Sequence, residues 1–159
     1  NSDKLVFLKQ EENIYVNPAW NLGVSKAKNN LIAICSDDIN FDVNDIFTWV
    51  YNNRNGLGCI GVHPESYVSG RDYIEVENNY HTGGGGWGCL MFLKKENWIE
   101  IPNNLKIGYG DDWIAKTNRP HYSVKTRTKI ETEMSTTASK KEFNPVVMND
   151  IQTWKKIFS

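Results

Sequence analysis

Leu31-Ile32-Ala33-Ile34-Cys35-Ser36-Asp37-Asp38 is the stretch on which the reading of this chain turns. Five consecutive apolar residues with no polar alternation predict a strand covered on both faces, as in a parallel sheet flanked by helices. The run stops abruptly at Ser36, so both carboxylates are expected just beyond the carboxyl end of a buried strand. In open α/β sheets that edge is where ligands bind.

The flanking sequence fits the same plan. Upstream, Leu5–Leu8 and Ile14–Val16 are short β-type runs. Asn17-Pro18 then punctuates the chain, and Ala19–Lys28 reads as a helix with one internal glycine. Downstream, Asn44 is the expected N-cap of a helix through Tyr51, whose apolar stripe is Ile46, Phe47 and Val50. Leu57–Val62 reads as a second buried strand, Tyr73–Val76 as an edge strand, and Cys89–Leu93 as a further apolar run. Lys94–Trp98 predicts a short helix, Pro102–Gly110 a loop, and Asp111–Lys116 a helix. Tyr122–Ile130 alternates β-favouring residues with Lys and Arg, and Ser135–Lys141 is a small, polar loop. Asn144, with Pro145 at the first helical position, opens a last amphipathic helix to Phe158. Strands interleaved with helices predict an α/β class, a Rossmann-type mixed, mostly parallel sheet flanked by helices in one domain spanning 1–159.

Composition narrows the function. Hydrophobic residues make up 40% of the 159, with six Trp, seven Tyr and six Phe, enough to build a core. The net charge of -1 supplies no cationic field for nucleic acid. Cys35, Cys59 and Cys89 are widely spaced, odd in number and set in apolar runs. They are therefore expected to be buried thiols, with a reducing cytoplasm as the default compartment. No stretch of 18 apolar residues is present, so no membrane span is expected.

Three clusters carry chemistry. Asp37 and Asp38 repel each other, and a hard divalent cation such as Mg²⁺ or Mn²⁺, shared with substrate phosphates, relieves the repulsion. The structural alternative is a solvated turn with a capping side chain. Gly108-Tyr109-Gly110-Asp111-Asp112-Trp113 places a second acid pair at a helix start, suited to a general base and equally to complementing the helix dipole. His81-Thr82-Gly83-Gly84-Gly85-Gly86-Trp87-Gly88 combines close backbone approach with a sugar-stacking platform, or else forms a surface hairpin.

Taken together, Asn17-Pro18-Ala19-Trp20-Asn21-Leu22-Gly23-Val24-Ser25-Lys26-Ala27, the strand Leu31–Cys35 and Ser36-Asp37-Asp38 resemble the heart of the GT-A nucleotide-sugar glycosyltransferases, especially the family-2-like group. The Gly-rich turn into Cys89–Leu93 resembles a strand passing behind that family's acceptor site. Gly110-Asp111-Asp112-Trp113 is similar to its later Gly-Glu-Asp motif. The resemblance spans Ile14 to Lys116. It implies a sugar transferase using a nucleotide-sugar donor, with UDP-sugars favoured, and a saccharide or other hydroxyl acceptor. It implies donor binding by Asp37, Asn21, Gly23 and Lys26, and a metal held by Asp38. Asp112 becomes the base with Asp111 beside it, and Trp87, Gly86, His81 and Trp113 form the acceptor side. Ser36 stands where many members carry a first acid, and Glu131 or Glu133 where a later metal-binding His is usual. The family's first β-α-β unit is expected to be missing, whether by truncation or because the member is small.

One other enzyme reading, one binding reading and one inactive-scaffold reading remain open on sequence. A nucleotidyltransferase would want a Gly-rich phosphate loop near the N-terminus, and none is seen. A carbohydrate-binding module would use Trp87, Trp98 and Trp113 as platforms. An inactive glycosyltransferase-like scaffold fits the shortened unit.

Overall fold

β1 (Leu31–Cys35) forms at the expected place, but it is the edge of the sheet and not its centre. The computed structural model describes residues 5–55, 58–62, 74–77, 87–125, 129–132 and 139–159. Among them β2 is Cys59–Val62, β3 Ile74–Glu77, β4 Leu90–Lys94 and β5 His121–Lys125. The order across the sheet is β1-β4-β2-β5-β3.

The sheet is mixed, as expected, but among the described strands the antiparallel pairs outnumber the parallel one, which corrects the expectation of a parallel majority. Only β2 and β5 pair in parallel; β1–β4, β4–β2 and β3–β5 are antiparallel. β1 and β2 still run the same way, because both oppose β4, and α2 (Val43–Asn53) makes the crossover between them. β4, lying between them, runs opposite to both and so makes antiparallel ladders on each side. Apolar composition reveals burial but not strand direction, which is why the sequence left this undecided.

Burial follows position in the sheet. All four residues of β2 are buried, as are the first four of β4. Ile32, Ile34, Met91, Leu93 and Cys59 face α1 (Val16–Lys26), α3 (Gly110–Thr117) and α4 (Asn144–Ile157) through Val24, Ile114, Ala115 and Trp154. On the other face Ile60, Val62, Leu90 and Phe92 pack on Ile46 and Val50 of α2. The other face of β1 is covered at Leu31 but not beyond it, since Ala33 and Cys35 are exposed. The both-faces reading of Leu31–Cys35 therefore fails, and so does the expectation that Cys35 is buried.

Local chemistry explains the shifted boundaries. Asp42, not Asn44, caps α2, accepting from the Asp45 N–H at 3.1 Å. Ile14–Val16 is not a strand. The Asn13 side chain accepts the Tyr15 N–H at 2.8 Å, and Tyr15 takes φ 66°, turning the chain straight into α1. Lys94–Trp98 tightens to a 3-10 turn at Lys95–Asn97. The last helix starts at Asn144 with Pro145 in its first turn, as expected.

Candidate functional site

The turn after β1 and the start of α3 are joined through the beginning of β4. The Ser36 N–H donates to the Cys89 carbonyl at 2.9 Å, carrying the β1–β4 ladder one step past Cys35. One residue earlier, Gly88 lies against α3: a Cβ there would sit 3.5 Å from the Asp111 carboxylate and 3.4 Å from the Trp20 ring. Short contacts thus bring Asp37-Asp38 and Asp111-Asp112 to one end of the sheet, although 73 or more residues separate the pairs.

The two pairs differ in environment. Asp37 and Asp38 are exposed, so water screens their mutual repulsion. Their field is still felt: partial desolvation of the Cys35 sulfur raises its thiol pKa, and the Asp38 and Asp37 charges raise it further. Burial likewise pushes the Cys89 thiol up to about 11, with a smaller contribution from Asp38. Asp112 is only 5% exposed, and its Oδ1 has no hydrogen-bond partner among the described residues. Burial first, then the Asp111 charge, raise its carboxyl pKa to about 7 against the opposing charge of Lys116. Its backbone N–H donates to Asp111 Oδ1 at 3.1 Å. Asp111 is half-buried and faces Gly88.

A buried polar clamp sets where α3 begins. Asp150 of α4, fully buried, accepts three consecutive backbone N–H groups: Lys106 at 2.9 Å on Oδ1, Ile107 at 2.8 Å and Gly108 at 2.9 Å on Oδ2. Asn17 of α1, also fully buried, donates its side-chain amide to the Gly108 carbonyl at 2.9 Å, and its backbone N–H donates to the Lys106 carbonyl. Tyr109 then takes the left-handed conformation (φ 62°), an uncommon geometry for a large side chain. Its ring stacks on Trp154 at 4.9 Å. The next residue must be glycine, because a Cβ on Gly110 would lie 2.1 Å from Asn17 Oδ1 and 2.8 Å from the Trp20 ring.

The remaining candidates divide. Gly23 and Lys26 line an open groove of about 790 Å³ between α1 and the free edge of β1, which extends to Cys35 beside the acid turn. Asn21 is engaged elsewhere: its amide donates to the Ile101 carbonyl at 2.8 Å and accepts the Ile101 N–H at 3.0 Å. Trp113 donates from Nε1 to the Ile99 carbonyl at 3.1 Å and leans on Phe158, so it packs α3 against the C-terminal segment. The backbone of Trp87 lies in a 3-10 turn, Trp87–Cys89, beside Asp111. His81, Gly86 and Glu133 lie outside the described residues. Glu131 is drawn next to the acid turn by a two-way backbone bridge to Asn40, and its side chain takes Lys129 at 2.7 Å. Sequence reasoning missed Asp150, the structural part of Asn17, and Gly88. The local signal was Gly110 just before the acid pair, a residue type that permits another element to approach closely.

Two exposed carboxylates suit a Mg²⁺ or Mn²⁺ ion that arrives with a diphosphate, since such ions use one or two carboxylates plus phosphate oxygens. Among the described residues no three His, Cys, Asp or Glu side chains form a closed metal site. No helix among them is long and apolar enough to cross a membrane. Comparison with protein-family models, curated proteins and solved structures returned no match.

Proposed function

We propose that this domain is a GT-A-like, metal-dependent glycosyltransferase that moves a sugar from a nucleotide donor, with UDP-sugars favoured, to a hydroxyl acceptor with inversion. The observation that supports it is the meeting of the two acid pairs through Ser36, Cys89 and Gly88 at one sheet end. They are chemically unlike: Asp37 and Asp38 are exposed whereas Asp112 is buried, as a donor site and a proton acceptor require.

In this reading Asp38 holds the divalent ion and Asp37 hydrogen-bonds the donor. When bound, the ion neutralises charge on the departing diphosphate. The acceptor oxygen attacks the anomeric carbon, the bond from that carbon to the phosphate oxygen breaks, and the acceptor proton passes to Asp112. A carboxyl titrating near 7 is matched to that task at neutral pH. Asp111 stands beside it, facing Gly88. The antiparallel β4 supports the reading in one further respect: it brings the Trp87 turn between the two acid pairs.

A thermal-shift screen of UDP-, GDP-, CMP- and dTDP-sugars, with and without Mn²⁺, tests the proposal. Stabilisation that needs both nucleotide and metal is expected. Stabilisation by free saccharide alone would favour a carbohydrate-binding module instead.

A further inference from the structure

We propose that Asp150, far from Asp112 in sequence and on a different helix, is the positioning residue that fixes the Asp112 carboxyl for proton transfer. The inference rests on the glycosyltransferase reading for its kinetic consequence, though not for its structural one.

Asp150 spends both oxygens on the three amides of Lys106, Ile107 and Gly108. These residues immediately precede the left-handed Tyr109 and the glycine that opens α3. Four residues below Asp150, Trp154 stacks on Tyr109, so one turn of α4 holds the loop by hydrogen bonds and the next holds it by ring contact. Asn17 closes the far side through the Gly108 carbonyl. The first turn of α3 has no side-chain cap of its own. Its direction is therefore set from outside, by the clamp. Asp112 sits in that turn, and the groups around it are Asp111, Lys116 and Tyr109. A small rotation of the turn would change its distance from each of them and from an incoming hydroxyl.

Asp150→Asn keeps size and shape but turns one acceptor oxygen into an NH₂ that faces backbone donors. At least one of the three bonds must break, which frees the loop. With saturating donor and acceptor, kcat is expected to fall roughly tenfold to a hundredfold, as small misplacements of reacting groups do. Mn²⁺-dependent UDP binding, measured by calorimetry, should stay within about twofold, because the β1 turn does not rest on this loop. A readout without turnover is the Asp112 side-chain carboxyl followed by ¹³C NMR across pH, where the midpoint should move in the variant. Asp150→Glu, which keeps both acceptor oxygens, serves the same measurements if the amide does not fold, and should show a smaller change of the same kind. A folded variant with an unchanged Asp112 carboxyl shift and midpoint overturns the proposal. A moved midpoint in a protein with no transferase activity upholds the positioning role and removes the glycosyltransferase reading alone.

Discussion

Asp112→Asn should make the protein more stable at alkaline pH and nearly inactive at any pH. In the folded state burial raises the Asp112 pKa from 3.8 to about 7, so the native protein keeps a proton that the unfolded chain releases. Stability is then fully retained below the unfolded value and is lost progressively as pH rises towards 7. A rise from 3.8 to about 7 at about 1.36 kcal/mol per pH unit amounts to at most about 4 kcal/mol, and relaxation of the buried site on ionisation brings this to roughly 2 kcal/mol. The amide carries no charge at any pH, so the variant escapes that loss. Urea unfolding of both proteins between pH 4 and pH 8.5 measures it: the advantage of the variant should be near zero at pH 4 and reach roughly 2 kcal/mol above pH 7. Turnover by the same variant should drop roughly 10²–10⁴-fold, the usual worth of a general base, with Mn²⁺-UDP binding intact. A stability difference that stays flat across pH would mean Asp112 is not a strained buried acid, and the argument for it as the base would go with it.

Other perturbations separate the parts of the site. Asp38→Asn should abolish Mn²⁺-dependent UDP binding in a titration, while its melting temperature stays unchanged because both carboxylates of the turn are exposed; persisting binding would take Asp38 out of the metal site. Gly110→Ala should cost about 1–3 kcal/mol in chemical unfolding, since the new Cβ meets the fully buried, tethered Asn17 and the Trp20 ring. Wild-type stability in that variant would mean α1 can withdraw from α3. Phe92→Ala, on the doubly covered β4 and against Phe47 of α2, should cost about 3–5 kcal/mol by the same assay.

The sequence on its own determined the helices and strands wherever pattern and punctuation agreed. Pro145 and the amphipathic run that follows mark α4, and the apolar run Leu90–Leu93 marks a buried strand, because periodicity and fixed backbone angles act within a few residues. Both acid pairs were legible for the same reason: each directly follows or opens an element whose type could be read. What lay beyond local reach was direction and neighbourhood. Leu31–Cys35 reads as a central strand because its composition is uniformly apolar. The sheet nevertheless places it at an edge, with Ala33 and Cys35 exposed, since strand order depends on pairings between distant segments. Asn21 looked like a ligand residue by its place in a motif, yet both ends of its amide are taken by Ile101, 80 residues away. Asp150 looked like one polar residue on an amphipathic helix until packing buried it. Only the tertiary structure could set it under three amides of another loop, because an unpaired buried carboxyl is costly and those amides were the donors within reach.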